Sequence, residues 1–193
     1  MGCNSSSDNS AIQLHSHQHL YLPAKSSSLC WKEEAITKTV TTFNFNETEV
    51  DLTHFSKGYD ALGVGGFGLV RRVRKYTGND KGIDYAMKSM SKEAILKRTS
   101  GPSAVITELK CLILLSDCRY ICRIHYAFQS PSHLFMILEL ASGGDLRCCL
   151  RATPQSKFSE TTAKLLVCQI FLALEHCHRL NILHRGTVVI YHE

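Results

Sequence analysis

Apolar and polar positions change rhythm several times along the chain. Residues 1–53 are rich in Ser, Asn, His and Thr and hold no sustained period, which predicts a disordered tail. From Phe55 onward, short apolar runs predict strands over 59–62, 69–76 and 83–89, with Thr77-Gly78-Asn79-Asp80-Lys81-Gly82 as a turn between the last two. Val105, Ile106, Leu109, Leu112 and Ile113 then fall at i, i+1, i+4, i+7 and i+8 behind Pro102, the pattern of a helix with one apolar face. Two more strands, about 121–128 and 134–140, meet at the turn Ser130-Pro131-Ser132. A long helix follows from a Ser159 cap to about Leu180, with Ala163, Leu166, Val167, Ile170, Leu174 and Cys177 on one face. Strands, helix, strands, helix: the order is that of an α+β domain.

Composition narrows the class. The 193 residues are 44% hydrophobic and 20% charged, enough for one domain and a tail. The longest apolar runs, 134–140 and 170–174, fall far short of the roughly 18–20 residues a membrane-spanning helix needs. Nine cysteines include an adjacent pair, Cys148 and Cys149, but no Cys-x-x-Cys, and no export signal precedes them, so reduced thiols in a cytoplasmic setting are expected. The net charge of +5 is uneven: residues 1–50 carry three lysines against five acids, leaving +7 for the remainder. Its densest basic cluster is Arg71, Arg72, Arg74 and Lys75, read as a solvated strand face. No aromatic interleaving favours nucleic acid, and no nucleic-acid partner is expected. His15, His17 and His19 alternate in the tail without a carboxylate or thiol beside them, and no metal site is expected.

The chemistry starts at Gly63-Val64-Gly65-Gly66-Phe67-Gly68, a G-x-G-x-x-G. That spacing alone also fits a dinucleotide site. There, however, the loop opens a helix whose N-terminus holds the pyrophosphate, whereas here it runs into the extended-looking Leu69-Val70-Arg71-Arg72-Val73-Arg74-Lys75-Tyr76. A glycine loop between two strands folds over a triphosphate as a flap. Lys88 follows Val70 by 18 residues, within Tyr85-Ala86-Met87-Lys88, and Glu108 lies 20 further on, at a polar position of the apolar-faced helix. A strand ammonium can neutralise the α- and β-phosphates, and a helix carboxylate can hold it in place.

With those residues in order, the chain resembles a eukaryotic protein kinase of the serine/threonine type over about residues 55–185. The 62–70 loop, Tyr85-Ala86-Met87-Lys88 followed by Ser91-Lys92-Glu93-Ala94-Ile95, and Gly143-Gly144-Asp145-Leu146 are most similar to the AGC group. The resemblance implies a tail over 1–53, a kinase N-lobe and hinge over 54–141 (an antiparallel five-stranded sheet plus one main helix), and the first helices of a C-lobe over 142–185. It implies ATP as substrate, contacted by Leu62, Gly63, Val64, Gly65, Gly66, Phe67, Gly68 and Lys88, with Val70 and Ala86 roofing the adenine. Leu138 would be the gatekeeper, Glu139 to Ala141 the adenine-pairing hinge, and Asp145 the ribose ligand. Leu112, Ile124 and His184 match three of the four residues of the family's regulatory spine.

After His184-Arg185 the family continues with an aspartate that accepts the substrate's proton; here Gly186 stands at that position, followed by Thr-Val-Val-Ile-Tyr-His-Glu. No D-F-G occurs in the 193 residues, so the protein ligands for Mg are not among them. The expectation is a truncated, inactive portion with weak ATP binding, lacking the residue that floors the adenine, and 186–193 read as translated intron. Its alternative is a non-catalytic module that binds partners, with protein substrates belonging to a completed enzyme. Finally, Met1-Gly2-Cys3-Asn4-Ser5-Ser6 fits the myristoylation pattern at Gly2, with Cys3 placed for palmitoylation, so association with the cytosolic face of a membrane is expected.

Overall fold

The computed structural model describes residues 50–57, 60–65, 68–99 and 101–184. The tail to residue 49, with Gly2 and Cys3, therefore lies outside the described residues, as do Tyr59, Gly66, Phe67, Gly186 and the segment after it.

Five antiparallel strands form one sheet: β1 Ala61–Gly65, β2 Gly68–Arg74, β3 Asp84–Ser91, β4 Ile124–Gln129 and β5 His133–Glu139, in the order β1-β2-β3-β5-β4. The glycine motif is strand rather than loop for most of its length. Gly63 and Gly65 belong to β1 and Gly68 to β2, and the pairs Gly63↔Val70, Val64↔Leu69 and Gly65↔Gly68 close a hairpin. Gly68 is obligatory there: an added Cβ would sit 1.9 Å from the Ser89 carbonyl oxygen of β3. The β4 strand begins later than its apolar run predicts, because residues 121–123 are used to turn the chain into the sheet, with Ile121 N–H donating to the Cys118 carbonyl.

Among the described residues, four α-helices complete the fold. The short α1, Lys92–Leu96, follows β3 directly and is capped by Ser91, whose Oγ accepts from Ala94 N–H; its five residues are too few for periodicity to reveal. Helix α2, Gly101–Leu114, lays Val105 and Leu109 into a core of Met90, Ile95, Ile124, Ala127, Leu134 and Met136, with Leu112, Ile113 and Leu138 at its margin. Each such buried side chain contributes about 1.5–3 kcal/mol against the entropy of ordering it. Helix α3, Leu146–Ala152, starts after a turn in which Gly144 has a φ of +76°, a conformation that favours glycine. The long α4, Glu160–Arg179, is capped by Ser159, whose Oγ accepts from Thr162 N–H at 3.1 Å. Its buried line is narrower than the sequence suggests: Leu166 and Cys177 are buried, whereas Val167 is exposed.

A second core covers the other face of the sheet. Residues 50–57 cross it, with Phe55 bridged to Lys75 and Ser56 exchanging two 2.8 Å hydrogen bonds with Arg74. Val50 and Phe55 pack there with Val73, Tyr85, Met87, Tyr126, Phe128, Phe135 and Ile137. Phe55 stacks on Phe128 and meets Tyr85 and Tyr126 edge-on.

Candidate active site

Side chains alternate along a strand, so Asp84, Ala86, Lys88 and Met90 of β3 share the face that α2 covers. Register adds Val70, Arg72 and Arg74 of β2, opposite Lys88, Ala86 and Asp84, and Met136 and Leu138 of β5, opposite Lys88 and Ala86. On α2, Val105 and Leu109 aim at the core, and Glu108 lies one step round at the edge of that face. From there its Oε1 accepts from Lys88 Nζ at 2.5 Å. The pair is half-open: the lysine side chain retains 14% of its exposure and the glutamate 36%. The described residues of the β1–β2 hairpin rise beyond it, with Leu62 and Val64 exposed and open space around Gly63. Val70 is half-buried and Ala86 buried.

The end of β5 is anchored by Arg123. Glu139 ends β5, its N–H donates to the Arg123 carbonyl at 2.8 Å, and its Oε2 accepts from Arg123 N–H at 3.2 Å. The Cys122 thiol lies 3.5 Å from the Glu139 carbonyl, and burial pushes that thiol up to about 11, so it behaves as an inert hydrophobe. Ala141 lies in the half-buried connection. Asp145 spends Oδ1 on capping α3, accepting from Cys148 N–H at 2.7 Å, and that bond holds its carboxyl below the usual range. Leu112 and Ile124 come together in the α2 core, whereas His184 is exposed and outside that cluster. Helix α4 meets the turn after α2 through His176 Nε2 and Asp117 Oδ1, 3.2 Å apart.

The basic cluster on β2 is only in part a solvated face: its three arginines are exposed, whereas Lys75 is not. Arg72 and Arg74 both donate to Asp84, at 2.5 and 2.6 Å for their closest contacts, and the bonds from Arg74 and Arg72 hold that carboxyl far below its usual range. Lys75 is buried on the opposite face, where it pairs with Asp80 and donates to Tyr126 Oη at 3.3 Å. Tyr85 and Tyr126 each donate to Asp80 Oδ2 at 2.7 Å. Burial alone would raise the Asp80 carboxyl, but the bonds from Lys75, Tyr126 and Tyr85 outweigh it and lower it to about 2. The alternation Val73, Lys75 was the only signal that this lysine points inward.

Among the described residues no group of three His, Cys, Asp or Glu side chains could hold an ion. The carboxylate at the cleft, Glu108, is already engaged by Lys88, and Asp145 caps a helix.

A glycine-closed antiparallel hairpin above a strand lysine, itself paired with an acid from a helix packed on a five-stranded sheet, defines the small lobe of a protein kinase. The chain belongs to that family: residues 57–186 match the protein kinase domain. Similar proteins include ribosomal protein S6 kinase alpha-4 of Mus musculus, 35% identical over 140 residues, covering 72% of this chain and 18% of that protein. Ribosomal protein S6 kinase beta of Caenorhabditis elegans is 37% identical over 124 residues, covering 64% and 22%. Ribosomal protein S6 kinase alpha-2 of Mus musculus is 33% identical over 175 residues, covering 84% and 22%. These relatives place it with the serine/threonine kinases of the AGC type. The chain spans about a fifth of the length of the curated relatives it matches. Among the described residues no helix is long and apolar enough to cross a membrane.

Proposed function

We propose that this chain carries the ATP-gripping part of a serine/threonine protein kinase and that residues 1–193 by themselves bind ATP weakly without transferring its phosphate. The Lys88–Glu108 contact carries the reading. The carboxylate fixes the ammonium at the mouth of the cleft, and a half-exposed glutamate leaves room for phosphate oxygens to share the amine. Val70 and Ala86 offer the adenine an apolar roof, Leu138 the rear wall, and the second oxygen of Asp145 an acceptor for a ribose hydroxyl. Loss of one stacking wall, worth about 1–3 kcal/mol, weakens binding about tenfold or more. Gly186 has no side chain to accept the hydroxyl proton, so transfer to protein substrates requires an acid that this position does not supply.

Isothermal titration of the 193-residue chain with ATP, with and without Mg, tests this. Weak binding that Lys88→Ala lowers a further tenfold or more is expected, roughly the worth of a charged hydrogen bond; sub-micromolar affinity, or phosphate transfer to a serine peptide, would overturn it. Acylation at Gly2 and Cys3 would add a membrane tether, the setting for a non-catalytic interaction role. Labelled myristate that still enters the chain after Gly2→Ala rules that tether out.

A further inference from the structure

Two buried cysteines sit at the junction of α4 and the turn after α2. Asp117 Oδ1 and His176 Nε2 join those segments at 3.2 Å, and the next residue on each is a cysteine, Cys118 and Cys177. Both are free thiols, buried by residues of this chain to 8% and 1% exposure. Burial first, and then the neighbouring Cys118 and Cys111 thiols, raise the Cys177 pKa, so these sulfurs share one electrostatic neighbourhood. Cys118 weighs more in that effect than the half-buried Cys111 of α2. Cys122, by contrast, is turned to the Glu139 carbonyl at the end of β5.

We infer that Cys118 and Cys177 form a redox latch, which hydrogen peroxide closes as a disulfide fastening the turn after α2 to α4. Cys118, the less buried and in a turn rather than a helix, is oxidised first. Its sulfur attacks the peroxide and the O–O bond breaks, leaving a sulfenic acid and one water. The Cys177 sulfur then attacks the sulfenic sulfur. The S–S bond forms, the S–O bond breaks, and the departing oxygen takes the remaining thiol proton as a second water. Two electrons have passed from the sulfurs to the peroxide oxygens, and a dithiol reductant reverses the step by exchange. Burial slows the first attack, so the latch rests open and answers only sustained oxidant. A bond that forms and is reduced again is the use of disulfides that a reducing compartment permits. Helix α2 also carries Glu108, so the closed latch restrains the helix that holds Lys88. Closing the chain between residues 118 and 177 further restricts the unfolded state.

The test treats the full 193-residue chain with hydrogen peroxide, alkylates the remaining thiols before unfolding, and maps the peptides by mass without reductant. A peptide pair linking Cys118 to Cys177 within one chain is expected, and dithiothreitol should release it. The thermal midpoint of the oxidised chain should rise by about 5 °C or more and fall back on reduction. Cys118→Ser and Cys177→Ser should each remove both the link and the shift, whereas Cys111→Ser should keep both. Far-UV circular dichroism of the reduced variants shows that they are folded, and the map of the unsubstituted chain decides the matter if a buried serine unfolds one of them. Recovery of Cys118 and Cys177 as alkylated thiols or sulfinic acids overturns the proposal. So does a map in which either is joined to another cysteine or to a second chain.

Discussion

Two lysine–carboxylate pairs sit on opposite faces of the same sheet, and their surroundings differ in the way that matters. Lys75–Asp80 lies under the 50–57 segment among Phe55, Tyr85 and Tyr126, with both tyrosine hydroxyls donating to the acid and the ammonium 4.8 Å from the Tyr126 ring centre. Burial pulls the lysine's pKa down, yet Asp80 and Tyr126 more than compensate and leave it raised. Lys88–Glu108 makes a similar contact but opens on solvent, beside a hairpin with exposed apolar residues. A saturated pair can only hold the fold together. An unsaturated one has donors left for a ligand.

The contrast breaks most easily at the saturated pair. Asp80→Ala leaves Lys75 buried and unpaired and should cost about 3 kcal/mol of stability in urea unfolding; a loss under 1 kcal/mol would mean the network is not the pin described. Next comes Gly68→Val, whose Cβ meets the Ser89 carbonyl. It should destabilise the sheet by about 2 kcal/mol and weaken nucleotide binding as the hairpin lifts. Lys88→Ala should do the reverse of Asp80→Ala, costing about 1 kcal/mol or less in stability, while ATP affinity falls roughly tenfold or more with the loss of a charged hydrogen bond. Equal stability losses at Lys75 and Lys88 would erase the distinction. The smallest effect is the pH dependence. Folding lowers the Asp80 carboxyl from 3.8 to about 2, so its contribution is complete above pH 3.8 and is lost as pH falls toward 2. Urea midpoints measured across that interval should decline more steeply for the native chain than for Asp80→Asn.

Much of the fold was legible because the signals were local. Alternation within 69–76 and 83–89, the i, i+4, i+7 set around Leu109 and the Ser159 cap each follow from the geometry of one element. The hairpin differs because glycines locally suggest a loop, and strand pairing across Gly63↔Val70 depends on a partner that no single window contains. Helix α1 was too short to show a period, and the buried line of α4 narrowed because which residues are covered depends on what packs against the helix.

The sequence by itself determined the order of elements, the membership of the kinase family and the identities of Lys88 and Glu108, since these depend on residue type and spacing. Only the tertiary structure decided that Lys75 points inward to Asp80, that Arg72 and Arg74 spend their charge on Asp84 and that Asp145 caps a helix. Each of those outcomes is set by contacts between segments distant along the chain or by a neighbour's coverage. A side chain's local pattern states what it can do, and the surrounding packing states whether anything is left for it to do.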